Sequence, residues 1–406
     1  MSGARKPRIA FVTTVYEGTG VGGATFTRYL RRAVEEGALD LTFFTDDMGE
    51  ATRAYERRVR LPRAAARLPG GFLVRSRYYH AAFLREHRER PFDLLWHNNA
   101  ITAIPALLGP PGVPVVGMIN DNSNAISRTP WDSRHVFGVR RAAIRSVWRR
   151  FEAFAARRLD AVVVNSRFLS GEVQRHYGVD AARVHVLYKA VALDEFTQRA
   201  EPVPGGPLRV LFVKSDYVVG RLEDLFAALA SFPGPVSLTV GGPPPAAFGR
   251  IRALARQSGY RGELELAGRL ASAEVAARLR GCDLLCVPSC SEALGVIFLE
   301  ALATGTPVVA CDAGGVPEAL DQGHAGWVTP PGDVAALARV IARAAGDAAA
   351  REARVRHGRE HVRRFSYDAM IDRFAALAQA FTAGRAARPD AAAAAAAPLT
   401  PTREAL

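Results

Sequence analysis

Lysine is nearly missing from this chain: of 53 basic residues only Lys6, Lys189 and Lys214 are lysines, and the other 50 are arginines. With the abundance of alanine, that ratio points to a GC-rich coding bias, so the arginine count by itself says little about partners. Cysteine is scarce too, four in 406 residues and all in the second half (Cys282, Cys286, Cys290, Cys311). The disulfide framework of a small secreted scaffold is thereby excluded, and a reducing compartment is the simpler expectation. Three of these cysteines recur every fourth residue, which invites a metal reading. Cys286, however, falls inside the apolar run DLLCVP and no histidine cluster accompanies it, so buried thiols and no metal site are expected. No apolar run reaches the length of about 18 residues that a membrane span needs. The N-terminal MSGARKPRIAFVTTVY has an apolar stretch of only about eight residues before a glycine cluster, which predicts a buried first strand, not a signal peptide.

What is present is ordinary globular material: 49% apolar and 23% charged residues, with a mean hydropathy of +0.01. The length predicts two domains of about 150 to 200 residues each. Short apolar runs rich in β-branched residues recur, each followed by a turn signal and a helical pattern. They predict βα units around parallel sheets. Candidate strands cover 8–15, 41–45, 93–98, 114–120, 161–166 and 183–188, then 208–214, 236–242, 264–268, 283–289 and 307–312. Between the two series, EPVPGGP (201–207) disfavours both helix and strand. The expected fold class is therefore α/β, with two doubly wound Rossmann-like domains over residues 1–200 and 201–360. They face a central cleft at the carboxyl ends of their strands. A last helical pattern at 361–382 is free to cross back to the first domain, and the Ala/Pro-rich residues 383–406 read as a disordered tail.

The most informative segment is PSCSEALGVIFLEALATGTPVVACDAGGVPEAL, residues 288–320. A strand ends at Ser289, a loop carries Glu292, and Gly295 opens an amphipathic helix bearing Glu300. The N–H groups of Leu294, Gly295 and Val296 at such a helix start are unpaired donors where the macrodipole favours phosphate. Glu300, farther along, is placed to accept two ribose hydroxyls, and Glu292 lies where a sugar on the diphosphate would sit. Spacing alone leaves open an ordinary βα unit with two solvated glutamates.

The segment resembles the ExxxxxxxE donor-binding motif of the GT-B glycosyltransferases, specifically the retaining family 4, here Glu292 through Glu300. GTPVVACDAGGVPE (305–318) is similar to that family's continuation, and ARRLDAVVVNSRFL (156–169) to the end of its first domain. The resemblance spans about residues 8 to 380. It implies that Glu292 contacts the donor sugar, that the backbone of Leu294, Gly295 and Val296 holds the diphosphate, that Glu300 binds ribose, and that Arg269 and Leu270 meet the nucleobase. It also implies that Gly22 and Gly23 of EGTGVGGATF face the donor. These glycines lack the GxGxxG spacing of a dinucleotide fingerprint, and a bare turn explains them as well.

Two departures from the family pattern stand out. Where relatives show a glycine and then an Arg and Lys pair, this chain reads FVKSDYVVGRLEDL (212–225), so Lys214 or Arg221 is the expected phosphate cation. Where relatives often carry a histidine, it has Asn120 and Asp121, which an Asx turn explains equally well. His97 is the other candidate catalytic side chain facing the cleft, with a structural histidine as the competing reading. Retaining transfer of this type implies a same-face mechanism in which the departing phosphate helps deprotonate the acceptor, with no resident cofactor or metal. The co-substrate is a nucleotide-diphosphate sugar of the UDP or GDP type.

Residues 1–200 hold 31 Lys and Arg against 19 Asp and Glu, whereas residues 201–406 hold 22 against 21. The basic half, notably 53–90 and 139–159 with Trp148 and Phe151 on an apolar stripe, is a candidate peripheral contact with acidic lipid at the inner face of the membrane of a cytoplasmic, bacterial enzyme. A solvated arginine-rich face is the competing reading. Nucleic acid is not expected, for want of any helix-turn-helix spacing, zinc ligands or RNA-binding aromatics. The acceptor is expected to be a glycan, lipid-linked or small-molecule hydroxyl. A same-fold nucleotide-sugar epimerase and a catalytically inactive binding subunit are the alternatives.

Overall fold

Thirteen short strands pair in parallel into two sheets in the computed structural model, which describes residues 5–16, 22–48, 53–62, 71–109, 111–121, 147–198 and 206–384. The first sheet comprises β1 (Arg8–Val12), β2 (Asp40–Thr45), β3 (Glu56–Arg58), β4 (Leu94–His97), β5 (Val115–Ile119), β6 (Ala161–Val164) and β7 (Val184–Val186), in the order β3-β2-β1-β4-β5-β6-β7. The second comprises β8 (Leu208–Val213), β9 (Val236–Gly241), β10 (Glu263–Gly268), β11 (Leu284–Val287), β12 (Val308–Cys311) and β13 (Trp327–Thr329), in the order β10-β9-β8-β11-β12-β13. In both, the order reverses beside the first strand, between β1 and β4 and between β8 and β11. That reversal is the switch point where open parallel sheets bind ligands.

Helices α1 (Gly22–Glu35), α2 (Gly71–Glu89), α3 (Ile104–Leu108), α4 (residues 147–158) and α5 (Arg167–Tyr177) accompany the first sheet. Helices α6 (Leu222–Ala230), α7 (Phe248–Gln257), α8 (Ser272–Gly281), α9 (Val296–Thr304), α10 (Val316–Ala319) and α11 (Val334–Gly346) accompany the second, and α12 (Ala348–His361) and α13 (Tyr367–Thr382) follow. Strands β4, β5, β6, β11 and β12 are buried along their whole length, which is why they read as unbroken apolar runs.

The sequence did not signal β3 or β13. The first is the charged tripeptide ERR, recruited to the sheet edge by pairing with Phe43–Thr45, and the second is only three residues long. Strand β1 ends at Val12, short of the expected residue 15, because the Thr13 hydroxyl accepts from the Val15 N–H and donates to the Val15 carbonyl, closing a local turn. The helix expected over 361–382 begins at Tyr367. Its first residues belong instead to the end of α12 and a 3-10 turn at Val362–Phe365. Helix α13 packs on the first sheet, with the Phe374 ring stacked on Trp96 at 4.3 Å and Tyr367 edge-on to Tyr29. The expected domain boundary lies largely, and the expected disordered tail from residue 385 onward, outside the described residues.

Candidate donor-binding site

At the switch point of the second sheet, β11 leaves the core and a loop leads into α9. Gly295 caps α9 with φ +86°, ψ +70°, a left-handed conformation, and a Cβ there would lie 2.4 Å from the Phe298 ring. Only glycine turns the chain here, and at the start of α9 the N–H groups of Val296 and Ile297 precede any intrahelical acceptor, while that of Phe298 donates to the Gly295 carbonyl at 3.0 Å. In the same loop the Glu292 carboxylate accepts from Lys214 Nζ at 2.5 Å and from Ser289 Oγ at 2.9 Å. Lys214 and Glu292 thus meet although 78 residues apart in sequence.

Glycines hold this loop from beneath. A Cβ on Gly314 (φ +65°) would stand 1.9 Å from the Glu292 carbonyl oxygen, and one on Gly315 2.2 Å from that of Ala293, while the Gly315 N–H donates to the Glu292 carbonyl at 3.0 Å. The AGGVPE continuation is thus a backbone cradle for the acidic loop. Gly242 (φ +108°) plays the same part under Lys214, where a Cβ would come within 2.6 Å of its carbonyl carbon. The Cys290 N–H donates to the Val219 carbonyl at 3.0 Å, stitching the loops after β11 and β8 together.

Arg221, like Lys214, is held by acids of its own sheet. Its guanidinium forms a two-pronged pair with Asp224 at 2.8 Å and contacts Glu223 at 3.1 Å. Of the two expected cations, the structure brings only Lys214 to Glu292. Glu300 sits one helical turn into α9, and no hydrogen bond or ion pair from the described residues reaches its carboxylate. Burial, reinforced by the Glu195 carboxylate and opposed by Arg28, pushes its pKa up to about 8. The Arg28–Glu195 pair, at 2.7 and 3.0 Å, therefore stands beside Glu300 and joins α1 of the first sheet to the segment before β8. Beyond β10, Arg269 is exposed and Leu270 covers Gly241, where a Cβ would come within 2.5 Å of Leu270 Cδ1.

On the first sheet, Gly22 and Gly23 are the first two residues of α1, and residues 17–21 before them lie outside the described set. At the carboxyl ends of the strands, Asn98, Asn120 and Asn165 form a ladder. Asn165 donates to the Asn120 carbonyl at 2.6 Å, and Asn120 to the Asn98 carbonyl at 2.6 Å. Asp121 follows, exposed. His97 does not face the cleft: it is 1% exposed, its Nδ1 meets the Thr102 hydroxyl at 2.8 Å, and burial drags its pKa down to about 3, so it is a neutral core side chain. That corrects its reading as a catalytic candidate.

Lys189, which sequence reasoning passed over, lies at the same end of the sheet. It is 7% exposed with its Nζ 3.8 Å from the centroid of the Phe26 ring, and burial lowers its pKa to about 7 against the pull of Asp121. No periodicity marks it, although one of three lysines placed just after an apolar strand was a signal to weigh. The apolar stripe of α4 is also accounted for, since Trp148 and Phe151 pack on Phe72 of α2 at 4.3 and 5.3 Å. Cys282, Cys286 and Cys311 are buried free thiols, and among the described residues no His, Cys, Asp and Glu group is spaced to hold a metal ion.

Comparison with known proteins fits this geometry. A family model described as glycosyl transferases group 1 matches residues 194–361, and one described as glycosyltransferase family 4 matches residues 21–195. The D-inositol 3-phosphate glycosyltransferase of Jonesia denitrificans is 31% identical over 232 residues, 51% of this chain and 54% of that protein. Its counterpart in Mycolicibacterium smegmatis is 31% identical over 229 residues, 52% and 51% respectively. The chain thus spans about half the length of these curated relatives. Among solved structures, sucrose-phosphate synthase from Thermosynechococcus elongatus superposes with a TM-score of 0.78 at 20% identity, covering 93% of this chain and 100% of that one. Anabaena HepE in complex with UDP-glucose gives 0.70 at 17% identity, covering 92% and 100%. Matched over residues 21–361 by the two models together, the chain belongs to the family 4 glycosyltransferases and carries their GT-B fold of two Rossmann-like domains.

Proposed function

We propose that this protein transfers a sugar, with retention, from a nucleotide-diphosphate sugar of the UDP or GDP type to an acceptor hydroxyl. Residues 1–200 hold the acceptor, and residues 201–360 the donor. The observation that carries the reading is the Gly295 turn: it opens α9 in the chain between Glu292, tied to Lys214, and Glu300, whose carboxylate receives no hydrogen bond from the described residues. In this reading Glu292 orients the donor sugar, Leu294 to Val296 and Lys214 hold the diphosphate, Glu300 accepts from the ribose, Arg269 and Leu270 border the base, and Gly22 and Gly23 close on the sugar from the first domain.

Bond breaking leaves a full extra negative charge on the departing diphosphate, and fixed donors aimed at that charge lower the barrier. Lys214 is already oriented by Glu292 before substrate arrives, so little reorganisation remains to be done. A departing phosphate oxygen takes the proton of the acceptor hydroxyl on the same face, which dispenses with a protein base and suits a cleft where Asn120 and Asp121 stand in place of a histidine.

HepE, described in complex with UDP-glucose, supports UDP-glucose as the first donor to assay, and the relatives named for D-inositol 3-phosphate make that polyol phosphate the first small-molecule acceptor. A glycan or lipid-linked acceptor, independence from metal, and a cytoplasmic enzyme touching the membrane peripherally through its basic half are parts of the same proposal. Among the described residues no helix is long and apolar enough to cross a membrane. Neither an epimerase nor an inactive subunit is favoured by any feature of the site. The test is transfer by the wild type in chelator, compared with Glu292→Gln and a control at an exposed arginine outside the site, Arg339→Ser on α11. The expected outcome is a loss of about a hundredfold or more in kcat for Glu292→Gln, with nucleotide still bound. Equal turnover in Glu292→Gln contradicts the assignment.

A further inference from the structure

A cavity of about 560 Å³ opens at the free edge of the first sheet, and none of the donor-site residues named above lines it. Its walls are α5, the exposed edge of β7, the 3-10 turn at Val362–Phe365, and α13. Each of the three helical elements contributes a guanidinium, Arg167, Arg364 and Arg373, and no carboxylate is among the lining residues. The Arg373 Nε reaches the Val186 carbonyl at 3.4 Å, which holds that side chain along the strand edge. Glu318, close by, is already engaged: it accepts from the backbone N–H groups of Arg167 and Phe168 and from the Tyr188 hydroxyl.

The histidine beneath the groove adds no negative charge to it. His185 on β7 lines the cavity, is 1% exposed, and has no hydrogen-bond partner at either ring nitrogen. A buried imidazole that satisfies neither nitrogen is a cost to the fold. Burial and the neighbouring Arg373 hold it neutral, its pKa pulled down to about 4, so one ring nitrogen carries a hydrogen and is a donor without an acceptor. The rest of the floor is apolar, with Leu187 and Met370 among its side chains. Three guanidiniums with no carboxylate among the described lining residues, over an apolar floor, describe a receptor for an anion carried on an apolar body.

We propose that this groove binds a phosphate monoester, its oxygens held by Arg167, Arg364 and Arg373 and its organic part lying against Leu187 and Met370. A soluble phosphorylated metabolite and a phospholipid headgroup share that chemistry. The experiment uses the full chain. Hexyl phosphate is titrated calorimetrically into wild type, Arg167→Ser/Arg364→Ser and the charge-keeping Arg167→Lys/Arg364→Lys. Sedimentation with phosphatidylcholine vesicles is measured with and without phosphatidic acid.

The proposal expects hexyl phosphate to bind the wild type, to lose about tenfold or more in affinity in the serine variant, and to keep most of it in the lysine variant. UDP, which belongs to the donor site, is expected not to displace it. Vesicle binding that needs phosphatidic acid and both arginines identifies a lipid source, and hexyl phosphate binding without it a soluble one. Silence in both assays, undiminished binding in a folded serine variant, or full displacement by UDP overturns the proposal. A UDP titration that is silent while hexyl phosphate binds counts against the donor site alone.

Discussion

Glu300 carries the largest electrostatic conflict in the donor site. Its carboxyl is held at about 8, above its ordinary 4.5, because burial and the Glu195 charge both disfavour ionisation. The folded state therefore binds this proton more tightly than the unfolded chain does. That contribution is present in full below about pH 4.5 and is lost as pH rises through about 8. Glutamine removes the conflict. Glu300→Gln is expected to melt with the wild type near pH 4.5 and to outlast it above pH 8, by about 1–2 kcal/mol given the partial exposure of the side chain. The same substitution is expected to weaken nucleotide-sugar binding by about ten- to a hundredfold, since a charged acceptor of two hydroxyl bonds is lost. Calorimetric melts at the two pH values and a binding titration check both halves. A variant that binds donor normally removes Glu300 from the site. The wild type, in turn, is expected to bind UDP-glucose more tightly as pH rises from 6 to 8, because its diphosphate does not titrate there and the ribose needs the carboxylate.

At the scale of elements, the site is a strand end, a loop and a helix start, held in register by glycines from the next βα unit. Gly314→Ala is expected to cost about 2–3 kcal/mol, because a methyl at positive φ meets the Glu292 carbonyl head-on, and to lower donor affinity by tilting that loop. A denaturant melt with an unchanged midpoint contradicts the cradle. This part of the molecule was legible in the sequence because its components are neighbours in the chain: Glu292, Gly295 and Glu300 lie within one turn and one helix, and the apolar strands were plain. Less legible was whatever tertiary assembly creates. The charged β3 becomes a strand only because β2 offers an edge. Arg221 looked like a free cation until Asp224, three residues on, was seen to take it. His97 ends a strand as a ligand would, yet its ring turns into the core. The Arg28–Glu195 pair and the buried Lys189 come from separate elements, and no local pattern announces either.

Across the whole molecule, the chain after β13 ties the two sheets together. Helix α12 lies against α9, where Gly358 allows so close an approach that a Cβ would come within 2.7 Å of Leu302 Cδ2, and α13 then crosses to the first sheet. Glu318, from the same stretch as the glycine cradle, caps α5 on the first sheet through the Arg167 N–H at 2.9 Å. Phe374 is fully buried on Trp96, so Phe374→Ala is expected to destabilise the protein by about 3–5 kcal/mol. An unchanged Tm shows that α13 does not hold the first sheet. The central claim concerns where a nucleotide diphosphate goes, and one crystal structure tests it most directly, that of the chain grown with whichever nucleotide diphosphate raises its Tm most. The account predicts phosphate oxygens within hydrogen-bonding distance of the Leu294, Gly295 and Val296 N–H groups and of Lys214 Nζ, with both ribose hydroxyls on Glu300. A nucleotide bound elsewhere, with the α9 N-terminus facing only solvent, contradicts it.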